Sequence, residues 1–466
     1  MDNETTNNTG PQKKEFRPWR NAVFFFGSML IAFLLTRIVG NPAFTQSQDY
    51  VLFLLFFAIG LWITEAIPPF AVGLFIMAYL FFALGNANFN AAPVNPARYV
   101  QTFSSSIIWL LLSGFFLAEA MTKTGIDVYL FRFALRLSGK KPANIMLGVM
   151  LMTMTASMIL SNTATTSMVI ASMMPLIRNL GKNTFSKALL VGVPIAASVG
   201  GMGTIIGSPT NAIAVGELEN NGITIHFLNW MFFGIPLAFI LTMAGWWLLK
   251  RKYISDNAPI EMQFTSEDKT NGTQIRNQRI IVIAVLLITS ILWMTSSLHH
   301  LTASSVGAVP LVFLTMTGIL KSADIRKIPW DTLLLIAGAL SLGLALQDTK
   351  LLEHFANHIL GSPSGTKISF LVFAYVTMLF GNIMSHTATA TMLIPLGVYL
   401  MPGHAEQIAV IIGLAASTSL LLPVSTPPNA IAYSTGLIKQ KEFLPGGLLI
   451  GLLGPLLIVL FVLMIL

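Results

Sequence analysis

Ser161-Asn162-Thr163-Ala164-Thr165-Thr166-Ser167-Met168 and Ser385-His386-Thr387-Ala388-Thr389-Ala390-Thr391-Met392 are two copies of one motif. The first interrupts the apolar run 143–180 and the second interrupts 367–402. Downstream, Ser208-Pro209-Thr210-Asn211-Ala212-Ile213-Ala214 matches Thr426-Pro427-Pro428-Asn429-Ala430-Ile431-Ala432, breaking the apolar segments 185–222 and 406–438. Asn162 and Asn211 are 49 residues apart, and His386 and Asn429 are 43 apart. Upstream, Leu110-Leu111-Leu112-Ser113-Gly114 resembles Leu333-Leu334-Leu335-Ile336-Ala337-Gly338. Matches in the same order at similar spacing mark an internal duplication of a structural unit.

The composition says what surrounds these motifs. Of 466 residues, 54% are hydrophobic and 10% charged, against about 25% charged in soluble proteins. That excludes a soluble globular enzyme and a disordered chain. Apolar runs of about 20 residues point to membrane helices, not barrel strands. Cysteine is absent, which excludes disulfides, iron–sulfur clusters, thiolate metal sites and cysteine nucleophiles.

Working outward, spans are expected at 22–39, 51–67, 70–88, 104–122, 227–249, 279–298, 301–320, 332–347 and 444–466, besides the four interrupted segments. Amphipathic stretches lie at 126–140 and 349–362, and a polar linker at 250–278. With a cytoplasmic amino terminus and both motif segments re-entrant, 23 of the 27 Lys and Arg residues fall on the cytoplasmic side. Only Arg37, Arg98, Lys350 and Lys367 face outward. The net charge of +8 therefore reports topology under the positive-inside rule, not a nucleic-acid partner. The fold class is all-α polytopic membrane protein, with about 11 transmembrane helices plus two re-entrant hairpins. After one leading span, each half holds five spans and a hairpin, and the halves are inverted. Inverted repeats with paired broken helices are the pattern of a secondary transporter, with its substrate at the repeat interface.

The interruptions carry the chemistry. A helix cannot turn inside lipid without exposing backbone polar groups, so each tip is buried in protein or lines a wet cavity. The half-helix after each tip offers free N–H groups and the positive end of its dipole. Ser, Asn and Thr add neutral donors and acceptors. Pro209, Pro427 and Pro428 break helices, and Asn211 and Asn429 can satisfy the freed groups. Four breaks converging give a site for a small anion with two or more carboxylates. No Arg or Lys sits at any break. The anion's charge must be offset by helix ends, by cations, or by His386.

At these residues the chain resembles the divalent-anion:sodium symporter family, the INDY-type di- and tricarboxylate transporters. The resemblance rests on Ser161-Asn162-Thr163, its Ser385-His386-Thr387 counterpart, the paired Pro–Asn loops and Trp62-Ile63-Thr64-Glu65-Ala66-Ile67-Pro68. It implies a plasma-membrane homodimer in which a transport domain slides as an elevator along a scaffold. The tail would be 1–21, the scaffold 22–122 and 223–347, the connectors 123–142 and 348–366, and the transport domain 143–222 and 367–466. Substrate contacts carried over by position are Asn162, Thr163, Ser385, His386, Thr387, Thr426 and Pro427. A first sodium site would use Ser157, Ser161, Asn162 and a carbonyl around Gly207. The second, at Gly381, Ser385 and His386, departs from the family. His386 stands where Asn is usual, and Gly381 stands where the first copy has Ser157. Imidazole offers nitrogen where Na⁺ prefers oxygen. A site with its own charge needs no co-transported ion, and an empty charged carrier crosses the bilayer at a cost. This favours exchange of dicarboxylates such as succinate, malate, fumarate or 2-oxoglutarate. The intact first half-site favours sodium symport. No organic cofactor is expected.

Other residues carry less. Glu65 sits near a cytoplasmic helix end and reads as structural. Glu119 and Lys123, four apart, mark a membrane exit. His354 and His358 have two-histidine spacing without a third ligand. Gly201 to Gly207 misses the dinucleotide pattern. Ser385 beside His386 invites an intramembrane serine hydrolase, but adjacent residues on a tight tip rarely reach the needed geometry, and no acid orients the histidine. The chain is read as a transporter, not an enzyme.

Overall fold

The computed structural model describes residues 18–90, 93–180, 183–254, 273–351, 363–423 and 425–466. Its longer helices are α1 (Pro18–Val39), α2 (Gln46–Thr64), α3 (Pro69–Ala83), α4 (Ser106–Thr124), α5 (Ile126–Leu137), α6 (Pro142–Ser157), α7 (Asn162–Leu180), α8 (Thr184–Gly200) and α9 (Pro209–Asn220). They continue with α10 (Phe227–Tyr253), α11 (Thr273–Met294), α12 (Ala303–Met316), α13 (Trp330–Thr349), α14 (Pro363–Ile383), α15 (His386–Leu400), α16 (Ala405–Ala416), α17 (Pro427–Ser434) and α18 (Leu444–Ile465). No strand occurs among the described residues. Nine described helices are long and apolar enough to cross a bilayer. The apolar helices α3, α6, α12 and α16 are shorter than that. The amphipathic stretch expected at 349–362 and its His354 and His358 lie almost wholly outside the described residues, as do most of the linker and the amino-terminal tail.

The duplication is visible in how helices pair. α3 packs on α13, and its repeat mate α12 packs on α4, the mate of α13. α6 packs on α8 as α14 packs on α16. α10 lies on α8 as α18 lies on α16, and α10 and α18 meet each other. Such reciprocal pairing is what a two-fold relation between the halves produces. Small residues set the close approaches. A Cβ on Gly338 of α13 would lie 2.3 Å from the Gly73 Cα of α3. At the mated contact, a Cβ on Gly307 would lie 2.8 Å from Ser113 Oγ.

Two local devices build each broken element. Ser161 ends the turn after α6, and its Oγ accepts the Ala164 N–H at 3.2 Å. Ser385 does the same for Ala388, also at 3.2 Å. At the second breaks, Ser208 and Thr426 cap α9 and α17. The proline after each cap takes a first-turn position, where its missing N–H costs nothing.

One helix departs from its expected grouping. The sequence reading puts 223–347 in the scaffold, yet α10 makes its main contacts with α8, α18, α6 and the loop at 201–203. Trp230 Nε1 donates to the Met202 carbonyl at 3.0 Å, and Trp246 Nε1 donates to the Ala143 carbonyl at 3.0 Å. Chain order alone placed α10 beside α11. Its small and aromatic residues instead dock on the first break, just as Gly447 of α18 docks on the second, where a Cβ would lie 2.6 Å from the Leu420 carbonyl oxygen.

Candidate functional site

The two hairpin turns and the two later breaks meet at one cavity of about 700 Å³. Asn162, Thr163, Ser385, His386, Thr387, Thr426 and Pro427 all line it, together with Ser161 and Gly207. Four helix amino termini, those of α7, α9, α15 and α17, begin at residues on this wall. The first N–H groups of α7 and α15, with the dipole ends of all four helices, give the wall a positive character without a cationic side chain at the breaks. Such a wall can hold carboxylates by donation.

Each break is stiffened by its asparagine. Asn211 Nδ2 donates to the Gly201 and Thr204 carbonyls, both at 2.8 Å. Asn429 Nδ2 donates to the Leu420 carbonyl at 3.2 Å and the Leu422 carbonyl at 2.9 Å. Both side chains are buried. These bonds satisfy carbonyls that the broken helices would otherwise leave orphaned in a low-dielectric interior.

Behind the first tip lies a group of oxygens. Ser157 Oγ donates to the Ala197 carbonyl at 2.7 Å. The end of the Asn162 amide lies 2.6 Å from Ser157 Oγ, 3.0 Å from the Ala197 carbonyl and 3.3 Å from the Gly207 carbonyl. The amide nitrogen satisfies this arrangement by donating. Turned over, the amide oxygen would face two carbonyls and a hydroxyl, a donor set that suits a hard cation. Ser161, expected beside them, accepts the Ala164 N–H on its Oγ.

The second half-site differs in a way the sequence did not reveal. His386 Nε2 donates to the Ser419 carbonyl at 3.0 Å, in the place where Asn162 meets Ala197. A Cβ on Gly381 would lie 2.3 Å from Ser419 Oγ. The hydroxyl missing from position 381 is thus supplied from the facing segment. Where the first half has Ser157, the second has Gly381 with the Ser419 side chain against it. The Ser419 hydroxyl is buried and has no hydrogen-bond partner. Asn382 closes the rear, accepting from the Leu421 N–H at 2.8 Å and from Ser425 Oγ at 2.9 Å.

Sequence reasoning missed Ser198 and Ser167 on the cavity wall, and Glu119, Lys327 and Asp331 at its mouth. At that mouth Glu119 and Lys123 do not pair along α4. Lys123 bonds Asp324, and Lys327 reaches Glu119 at 3.5 Å and Asp324 at 3.4 Å. The Lys123 ammonium beside Asp324 holds that carboxyl below the usual carboxylate range. Glu65 is exposed at the end of α2 in a left-handed conformation (φ 49°) and takes no part in the cavity.

A cavity ringed by paired helix breaks inside an inverted membrane fold defines a transporter, not an enzyme. The chain belongs to the citrate transporter family, which it matches over residues 59–412. A sodium-dependent dicarboxylate transporter of Staphylococcus saprophyticus, SdcS, is 27% identical over 472 residues, covering 93% of this chain and 89% of its own. An uncharacterized transporter of Haemophilus influenzae is 28% identical over 461 residues, covering 94% and 95%. Among solved structures, the Alcanivorax borkumensis YdaH transporter, described as having an unusual topology, superposes with a TM-score of 0.54. It is 14% identical and covers 84% of this chain and 98% of its own, a likeness of fold alone.

Proposed function

We propose that this protein carries C4 and C5 dicarboxylates, such as succinate, malate, fumarate and 2-oxoglutarate, across the plasma membrane by exchange. The observation that carries the reading is the single cavity shared by both hairpin turns and both later breaks. Its donors come as two matched sets, one per carboxylate, and the similar transporter named for dicarboxylates supports this class of substrate. Asn162 and Thr163 would hold one carboxylate. Ser385, His386 and Thr387 would hold the other, with Thr426 and Pro427 beside them. His386, anchored on the Ser419 carbonyl, takes the place of a second sodium ion and ties the return step to a bound substrate.

The moving body comprises α6–α10 and α14–α18. The framework comprises α1–α4 and α11–α13 and holds a homodimer. An elevator stroke of the first along the second gives alternating access. The cavity mouth carries Lys327, with Lys123 beside it. Those residues fall on the cytoplasmic side of a chain whose amino terminus is inside. The state described here is accordingly inward-facing.

Sodium symport is the second reading, favoured by the oxygen group of Ser157, Asn162, Ala197 and Gly207, where one Na⁺ would be carried as cargo. Labelled succinate uptake into proteoliposomes separates the two. It is measured with and without external Na⁺, and with and without internal unlabelled dicarboxylate. Exchange requires uptake that depends on internal dicarboxylate and ignores Na⁺. Uptake into empty vesicles driven by a Na⁺ gradient would replace exchange by symport, and no uptake in any arm would remove the dicarboxylate reading.

A further inference from the structure

The residue left unexplained by the cavity is Glu217 on α9. It is 0% exposed. Its Oε2 has no hydrogen-bond partner, and its Oε1 has only the Asn221 amide at 3.4 Å. A Cβ on Gly343 would lie 2.3 Å from Oε2, so the carboxyl group rests directly on the backbone of α13. Tyr399 of α15 faces the same carboxyl. Its hydroxyl donates to the Gly343 carbonyl at 3.0 Å. A phenol has one proton to give. With that proton on Gly343, Tyr399 turns lone pairs toward Glu217. An ionised carboxylate could take that proton only by breaking the bond to the Gly343 carbonyl, whereas a protonated carboxyl donates to the phenol and leaves that bond intact. An unpaired buried charge is also strongly disfavoured in itself.

The other groups around Glu217 supply no cation. From α13 the nearest charge is Asp348, already paired with Arg98 at 2.8 Å. α4 presents Ile107 to α9, and α16 presents Gly413, neither of them titratable. On α9 itself the next acid, Glu219, is bonded to Ser106. An acid buried in this way inside a membrane protein calls for a functional account.

Its position supplies one. α9 and α15 belong to the moving body and α13 to the framework, so Glu217 sits in the seam that an elevator stroke must shear. We propose that Glu217 is a proton-binding site that locks the two bodies together. It holds a proton while docked on Gly343 and Tyr399, and it gives that proton to water when the seam parts. This rests on the two-body reading above. Its consequence is that acid favours the state described here and alkali drains it, and each departure from that state releases one proton per protomer.

The absence of cysteine makes the test direct. Ser167 is exposed in the cavity, so Ser167→Cys reports the open cavity by its reaction with a membrane-impermeant thiol reagent. Rates are compared at each pH between chains with Glu217 and with Glu217→Gln, which cancels ionisation of the reporter thiol. The two should label alike near pH 5.5, and the Glu217 chain should fall behind by up to about tenfold per pH unit once the acid ionises. A ratio that stays constant to about pH 8.5 would overturn the proposal. Tyr399→Phe removes the acceptor and should move the onset of the fall to lower pH. An unmoved onset would equally count against the lock. Labelling reads position and not transport. A pH-dependent ratio without succinate uptake would therefore sink the dicarboxylate reading and leave this one standing, and the reverse result would do the opposite.

Discussion

In the second half-site the Ser419 side chain fills the space that a side chain on Gly381 would take, the position held by Ser157 in the first. That contact yields a prediction at the scale of the residue. Gly381→Ser alone forces a side chain onto Ser419 Oγ at 2.3 Å and Ser419 Cβ at 2.8 Å, and should destabilise the protein by about 1–3 kcal/mol. Adding Ser419→Ala should recover part of the loss, because it removes the nearer of the two clashing atoms. Thermal unfolding in detergent of the two single variants and the double variant measures the coupling. Strict additivity would show that the two side chains do not compete. The duplication was legible at this scale in the Ser-Asn-Thr and Pro–Asn motifs. The compensation at Ser419 was not, because it joins residues 38 positions apart in a segment that the spacing difference of 49 against 43 had put out of register.

Among elements, the sharpest contrast lies between two mated contacts. At α3–α13 the Cβ of Gly338→Ala would meet the backbone of Gly73, with Cα at 2.3 Å and the carbonyl oxygen at 2.5 Å. Backbone cannot rotate aside, so the helices must separate, and a loss of about 3 kcal/mol is expected. At α4–α12 the Cβ of Gly307→Ala meets Ser113 Oγ first, at 2.8 Å. A hydroxyl can turn away, so the loss should be about 1 kcal/mol. Melting temperatures in detergent would show the order, and equal losses would mean the two contacts are not built as described. Element boundaries followed closely from hydropathy, because each apolar run stops where Gly, Pro or a cap residue interrupts it. The partner of α10 did not follow, since a helix apolar on most sides carries no address in its own sequence.

For the whole molecule, orientation is the property that everything functional depends on. Lys350 ends α13 on the side that the charge distribution places outside, and Arg326 is exposed in the loop before α13. In the cysteine-free background, Lys350→Cys should react with an impermeant maleimide in intact spheroplasts, and Arg326→Cys only after lysis. The opposite pattern would invert the topology and make the cavity outward-facing. The amino-acid sequence by itself determined that this is an inverted-repeat membrane transporter, because hydropathy, positive charge and duplicated motifs are all properties that neighbouring residues carry in order. It also named the residues at the tips and breaks that line the cavity, since capping serines and Pro–Asn breaks act over one helical turn. Only the tertiary structure decided that the Ser419 hydroxyl lies against Gly381, that α10 packs on the first break, and that the Glu217 carboxyl rests on Gly343. Each of those depends on which distant surface meets which, and no local pattern encodes a distance across a fold.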